Sequence, residues 1–284
     1  MLLNLSLEEI LNRFQSTELL TNGFPTLTLS SKVQYWFLLE SFEGYTGYTV
    51  PTSIAIGSAF VYLFLIYVLA PATAPLIGNG FLFKLIQKIH NWLLVLYSGF
   101  VCSVTAYWMT VNDEWNMQSM LCKPIPEWLW WLHLTFVFSK LYEWFDSVLL
   151  VWKNPKNPKL IFLHVYHHAT TFWLFLHVSA MASTIKMGML LNGGVHFLMY
   201  LHYAECYPKK LAPMITLLQM AQLGFVTYVW WITPFRCGGT LADFPTRYPI
   251  DYAMPNVFVP VYLFFFIRFF FQRFVSKGGK AKKN

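Results

Sequence analysis

Charge is what this sequence has least of. Asp, Glu, Lys and Arg make up 12% of its 284 residues, against roughly 25% in an ordinary soluble domain. That deficit argues against a soluble globular chain. Cysteine is scarce too: Cys102, Cys122, Cys206 and Cys237 stand far apart, without metal-type spacing. No internal repeat is found and no second domain is expected. Residues 1–14 carry Glu8 and Glu9 and lack a basic segment, which argues against a cleavable leader. A net charge of +7 would suit nucleic acid, but the basic residues sit in short loops and the tail, where they set membrane topology instead.

What is present is apolar. Hydrophobic residues reach 56% and Phe, Trp and Tyr 19%, an aromatic load that fits membrane interfaces. Several apolar runs approach the roughly 20 residues a bilayer-spanning helix needs. The chain reads as an all-α polytopic membrane protein with about seven transmembrane helices, near 53–70, 91–111, 128–152, 160–181, 187–206, 214–233 and 257–274. Pro71 is expected to close the first. Residues 1–50 form an N-terminal arm, lumenal or interfacial, with a short amphipathic stretch at Leu7–Phe14 and a formal sequon at Asn4. Residues 51–275 form the membrane domain, and 276–284 a basic tail.

Orientation follows from lysine and arginine. Seven spans place Lys84, Lys88, Lys153, Lys156, Lys159, Lys209, Lys210 and the tail on one side. The short-loop bias puts that side, with the C-terminus, in the cytosol. Cys122 and Cys237 then both fall in loops on the opposite face, where disulfides persist in the secretory pathway, so a Cys122–Cys237 bridge is expected from compartment alone. The tail ends Lys280-Ala281-Lys282-Lys283-Asn284. It resembles a dilysine retrieval signal of the endoplasmic reticulum; a solvated basic tail near anionic lipid is the alternative.

Against this background, Phe162-Leu163-His164-Val165-Tyr166-His167-His168 puts three histidines just inside an apolar run. Ionisable groups are costly in a membrane, so such a cluster needs a reason. Lys140, Glu143 and Asp146 recur every three residues and share one helix sector, as an ion pair locking the bundle or as part of a site. Asn192, His196, Met199 and Tyr203 form one stripe, and Thr216, Gln219 and Gln222 another. His164 lies roughly 6 Å from its cytosolic helix end, Asp146 and Gln219 roughly 9 Å, and Lys140, His196 and Gln222 somewhat deeper. Four helices thus bring unusual residues to one depth, which points to a shared polar chamber opening to the cytosol. Histidines there can bind metal, move protons or act as nucleophiles. His-x-x-His-His resembles one box of membrane di-iron desaturases and hydroxylases, which need about eight imidazoles. The eight histidines here include His90, His133, His177 and His202 without a box around them.

The motifs also resemble, in order, those of the ELO-type very-long-chain fatty acid elongases. Lys140-x-x-Glu143-x-x-Asp146-Ser147 matches the family's KxxExxD[TS], and Phe162–His168 its histidine box. Asn192-x-x-x-His196-x-x-Met199-Tyr200-x-x-Tyr203 matches its next motif, and Thr216-x-x-Gln219-x-x-Gln222 the last. Lys159 and His202 depart from the family's common Gln and Tyr. The resemblance implies an endoplasmic-reticulum acyltransferase, a very-long-chain 3-oxoacyl-CoA synthase. It would condense a long-chain acyl-CoA with malonyl-CoA through an acyl-imidazole, with no bound cofactor or metal. A membrane di-iron lipid desaturase or hydroxylase is the alternative. By the same implication His167 is the nucleophile, and His196, His168 and His164 orient, take up protons or stabilise the oxyanion. Asn192, Gln219 and Gln222 donate to carbonyl oxygens, and Tyr203 joins the substrate site. Lys140 and the cytosolic lysines meet CoA phosphates or the malonyl carboxylate, whereas Glu143 and Asp146 orient Lys140 and the histidines. An acyl tunnel would run toward the lumen. Membrane lipid surrounds the enzyme, the reductases and dehydratase of the cycle are its implied partners, and a homo-oligomer is left open. Saturated, monounsaturated and polyunsaturated chains are all open as substrates.

Overall fold

The computed structural model describes residues 52–78, 80–123, 125–178, 184–236 and 249–276. Its elements are helical throughout. The first run is α1 (Thr52–Phe64), a π-helical turn (Leu65–Leu69) and α2 (Ala70–Ile77). Pro71 was expected to end this run, and it does not. Proline lacks an N–H and its ring crowds the carbonyl four residues back. The wider turn, in which the Ala70 N–H reaches Leu65 O, relieves that crowding. The helix stops instead at Gly78, whose φ of 61° suits glycine.

The long α3 (Phe81–Val111) begins well before the expected Asn91, so Lys84 and Lys88 lie on its exposed early turns and not in a loop. A short α4 (Met117–Cys122) follows, capped by the Asn116 side chain on the Ser119 N–H at 2.8 Å. The next expected span divides into α5 (Glu127–Tyr142) and α6 (Phe145–Lys153). Between them Trp144 N–H bonds Leu141 O at 3.2 Å and Asp146 N–H bonds Glu143 O at 3.0 Å. These tightened i→i+3 bonds break the α ladder inside the Lys140–Asp146 motif.

Then come α7 (Phe162–Val178), α8 (Ile185–Met187), a π-helical turn (Gly188–Asn192) and α9 (Gly193–Tyr203). A 3-10 turn (Lys209–Leu211) leads into α10 (Ala212–Arg236). The last run is α11 (Pro249–Phe270) with a closing π-helical turn (Phe271–Val275). Among the described residues four helical stretches are long and apolar enough to cross a membrane: Ile56–Ile77, Phe81–Val111, Lys209–Thr233 and Met254–Val275. The other three expected spans correspond to α5 with α6, to α7 and to α8–α9, which are shorter or interrupted. Large side chains such as Phe60, Phe81, Leu96, Tyr107 and Trp231 stand on the outer surface, as an apolar solvent requires.

The histidine helix α7 is the hub, packed by α1, α5 and α11. Phe136 on α5 meets Phe172 and Phe175 on α7, while Tyr262 on α11 packs with Leu174. On the other flank α9 lies along α3 at very close range. A Cβ on Gly193 would sit 3.3 Å from Ser98 O, and one on Gly99 2.9 Å from the Phe197 ring. Small residues at that seam let the two backbones approach. Cys122 is disulfide-bonded, Cys102 and Cys206 are free thiols, and Cys237 lies outside the described residues. So do the N-terminal arm and the tail signal.

Candidate functional site

A cavity of about 650 Å³ opens among α3, α6, α7, α9, α10 and the end of α11. Nearly every polar residue singled out in the sequence lines it: Glu143, Asp146, His164, His167, His168, Asn192, His196, Tyr203, Gln219 and Gln222. Each side chain is placed by local structure. On α7 the three histidines fall on one face, with ring centroids 4.4 Å apart for His164–His168 and 5.4 Å for His167–His168. The Trp144 indole N–H donates to His168 O at 2.8 Å, tying the turn between α5 and α6 to that face.

Lys140 is the exception. It is 2% exposed and absent from the cavity lining, so it does not stand where a substrate phosphate would meet it. Its Nζ donates to Glu143 Oε1 at 2.7 Å and to Asn192 Oδ1 at 3.0 Å, over the Phe136 ring at 4.2 Å. An ammonium buried among aromatics needs such partners. Holding Asn192 by its oxygen leaves the amide Nδ2, a double donor, for the cavity. Glu143 Oε1 also lies 3.5 Å from His196 Nδ1, a charge contact longer than a good hydrogen bond.

Asp146 is held from elements that the motif does not contain. His90 Nε2 lies 2.8 Å from its Oδ1, and the Tyr200 hydroxyl donates to its Oδ2 at 2.6 Å. His90 is 1% exposed and pairs across 56 residues, so its lack of a surrounding box in the sequence gave no sign of this role. Its neighbour Asn91 donates to Tyr203 O at 3.0 Å and also lines the cavity. A His-Asn pair opening an apolar run was the available signal for both. Ser147, inside the first motif, links the His164 Nε2 and the Tyr62 hydroxyl, each at 2.8 Å. On α10 the Gln219 amide reaches Met199 Sδ at 3.5 Å, a weak contact that leaves the amide available.

The cavity has two chemical characters. Its inner wall carries the imidazoles and amides. Lys153, Lys209 and Arg273, all exposed, contribute cations from the ends of three different elements. A ligand that fits both must carry an anionic part and a reactive centre that imidazole can attack or deprotonate. Among the described residues no three His, Cys, Asp or Glu side chains are grouped so as to hold a metal ion. Among the described residues this lining does not include Phe136, Phe172 and Phe175, which are packed together as core.

The chain is similar to known proteins over most of its length. Very long chain fatty acid elongase 7 of Rattus norvegicus is 26% identical over 271 residues, 89% of this chain and 88% of that protein. Very long chain fatty acid elongase 5 of Mus musculus is 24% identical over 273 residues, 89% and 82% of the two chains. Fatty acid elongase 5 of Trypanosoma cruzi is 31% identical over 150 residues, covering 51% and 54%. The model of the ELO: GNS1/SUR4 family matches residues 49–282, from before α1 to within the basic tail, and with that match the chain belongs to the ELO family.

Proposed function

We propose that this protein condenses a long-chain acyl-CoA with malonyl-CoA to a 3-ketoacyl-CoA, releasing CO₂ and CoA. The observation that carries the reading is one cavity joining a cationic rim to a buried cluster of imidazoles and amides. Membership of a family whose relatives are named fatty acid elongases supports it.

In this reading Lys153, Lys209 and Arg273 receive the CoA phosphates and the malonyl carboxylate, the task expected of Lys140 together with the cytosolic lysines. His167 attacks the thioester carbon through a ring nitrogen. The C–S bond breaks with its electron pair on the CoA thiolate, which takes up a proton. Loss of CO₂ from malonyl-CoA supplies the electron pair that attacks the acyl carbon, and the N–C bond breaks back to imidazole. The sum consumes one proton. Asn192, Gln219 and Gln222 donate to the carbonyl oxygens on which charge develops. The reaction then needs no bound cofactor, and iron analysis of the purified protein separates it from di-iron chemistry. The same reading places seven spans in the endoplasmic-reticulum membrane with the C-terminus in the cytosol, beside the reductases and dehydratase that process the product.

The decisive assay is incorporation of labelled malonyl-CoA into lengthened chains by purified protein, over saturated, monounsaturated and polyunsaturated acyl-CoAs. His167→Ala is expected to abolish incorporation while the protein still inserts and folds. Near-normal turnover in that variant would remove His167 as the nucleophile, and no incorporation by the wild type with any acyl-CoA would remove the reaction.

A further inference from the structure

We propose that Thr171 is a positioning residue that fixes the tautomer of His167 and so selects Nε2 as the atom that takes the acyl group. The inference rests on the reading of His167 as nucleophile. Thr171 lies one turn beyond His167 on α7 and is 5% exposed. Its hydroxyl donates to the backbone oxygen of His167, the usual back-bond of a helical threonine. Its Oγ1 also lies 3.3 Å from His167 Nδ1. A hydroxyl has one proton, and here the carbonyl has it. With that proton on the carbonyl the hydroxyl turns a lone pair to the imidazole, which favours hydrogen on Nδ1. In neutral imidazole the free lone pair is then on Nε2.

The neighbours hold the ring in that setting. Tyr262 packs on it at 5.1 Å between centroids and is itself bonded to Thr170 Oγ1 at 2.6 Å. When Nε2 bonds the acyl carbon, the ring becomes a cation whose proton stays on Nδ1. A hydroxyl oxygen accepts that N–H without being basic enough to remove it. The acyl-imidazole is therefore kept as its cation, the stronger electrophile, until the carbanion equivalent attacks. The electron pair then returns to Nε2, and Nδ1 keeps its proton throughout. Nothing in the four sequence motifs includes Thr171.

The test is the burst of CoA released when full-length protein meets acyl-CoA without malonyl-CoA. The probe is palmitoyl-CoA, or whichever long-chain acyl-CoA the wild type turns over fastest, with a thiol reagent as readout. Thr171→Val keeps shape and removes the hydroxyl. Its burst is expected to slow about 3- to 10-fold, the worth of one hydrogen bond, with KM for acyl-CoA unchanged. Thr171→Ser is expected to restore the wild-type rate. A wild-type burst in Thr171→Val would overturn the proposal. A burst as slow in Thr171→Ser as in Thr171→Val would do the same, since packing would then be the cause. If Thr171→Val does not yield folded protein, Thr171→Ala against Thr171→Ser makes the same comparison. His167→Ala separates the two levels: a burst that survives there removes the nucleophile reading itself. A burst lost there but untouched by Thr171 substitution removes only the role of Thr171.

Discussion

Among the described residues two lysines are buried, each on a carboxylate, and they do different things. Lys186 on α8 donates to Glu114 at 2.6 Å, to Ser119 O at 2.9 Å and to Lys123 O at 3.2 Å. Its three contacts go to the α3–α4 connection, to α4 and to the residue that caps α4, and neither it nor Glu114 lines the cavity. It is a staple. Lys140 donates to Glu143 and Asn192, and both partners line the cavity. It is a scaffold for the site. The pair distances are nearly equal, so the strength of the ion pair cannot be what separates them. What each carboxylate and amide does with its remaining atoms is the difference.

The largest expected effect tests the staple. Lys186→Met leaves Glu114 buried without its cation and is expected to cost about 3–5 kcal/mol, read as a fall in melting temperature in detergent. Lys186→Met with Glu114→Leu is expected to recover most of that loss and leave elongation near the wild-type rate. The matching pair at the site, Lys140→Met with Glu143→Leu, sharpens the contrast. It too is expected to recover stability relative to Lys140→Met alone, yet to lower kcat about 10²-fold because Asn192 loses its orientation. Equal activity in the two double variants would erase the distinction.

A smaller effect is expected at the seam between α3 and α9. Gly99→Ala forces the Phe197 ring to move and is expected to cost about 1–3 kcal/mol, with kcat little changed because Phe197 is outside the cavity lining. The smallest change belongs to the rim. Single alanine substitutions at Lys153, Lys209 and Arg273 each remove one exposed cation, worth about 0.2–1 kcal/mol. They are expected to raise KM for malonyl-CoA a few-fold, more at low salt than at high, with melting temperature unmoved.

Much of this was legible because helical spacing is local. The i,i+3 spacing of Lys140 and Glu143 anticipated their pair, and the single face of His164, His167 and His168 follows from 3.6 residues per turn. Of the residues that depth along the helices sets at one level, Asp146, His164, His196, Gln219 and Gln222 line the cavity and Lys140 does not. The misreadings have one cause: the direction in which a side chain leaves a helix, and what stands across from it, is set by other helices. Lys140 was expected to face phosphate and faces Asn192, 52 residues away. His90 seemed unattached and meets Asp146. Lys186 belongs to none of the motifs and is fully buried. Local rules also misplaced Pro71, since a π-helical turn absorbs what an α-helix would not tolerate.

By itself the sequence determined that this chain is helical and apolar-facing, and that its costly polar residues come in sets on four helices. Hydrophobic burial and helical periodicity act along the chain, so they can be read from it. Only the tertiary structure decided which of those residues face the cavity, which spend their protons on one another, and that His90, Tyr62, Thr171 and Tyr262 join them. A buried polar atom must find its partner wherever packing provides one, and packing brings together residues that are far apart in the chain.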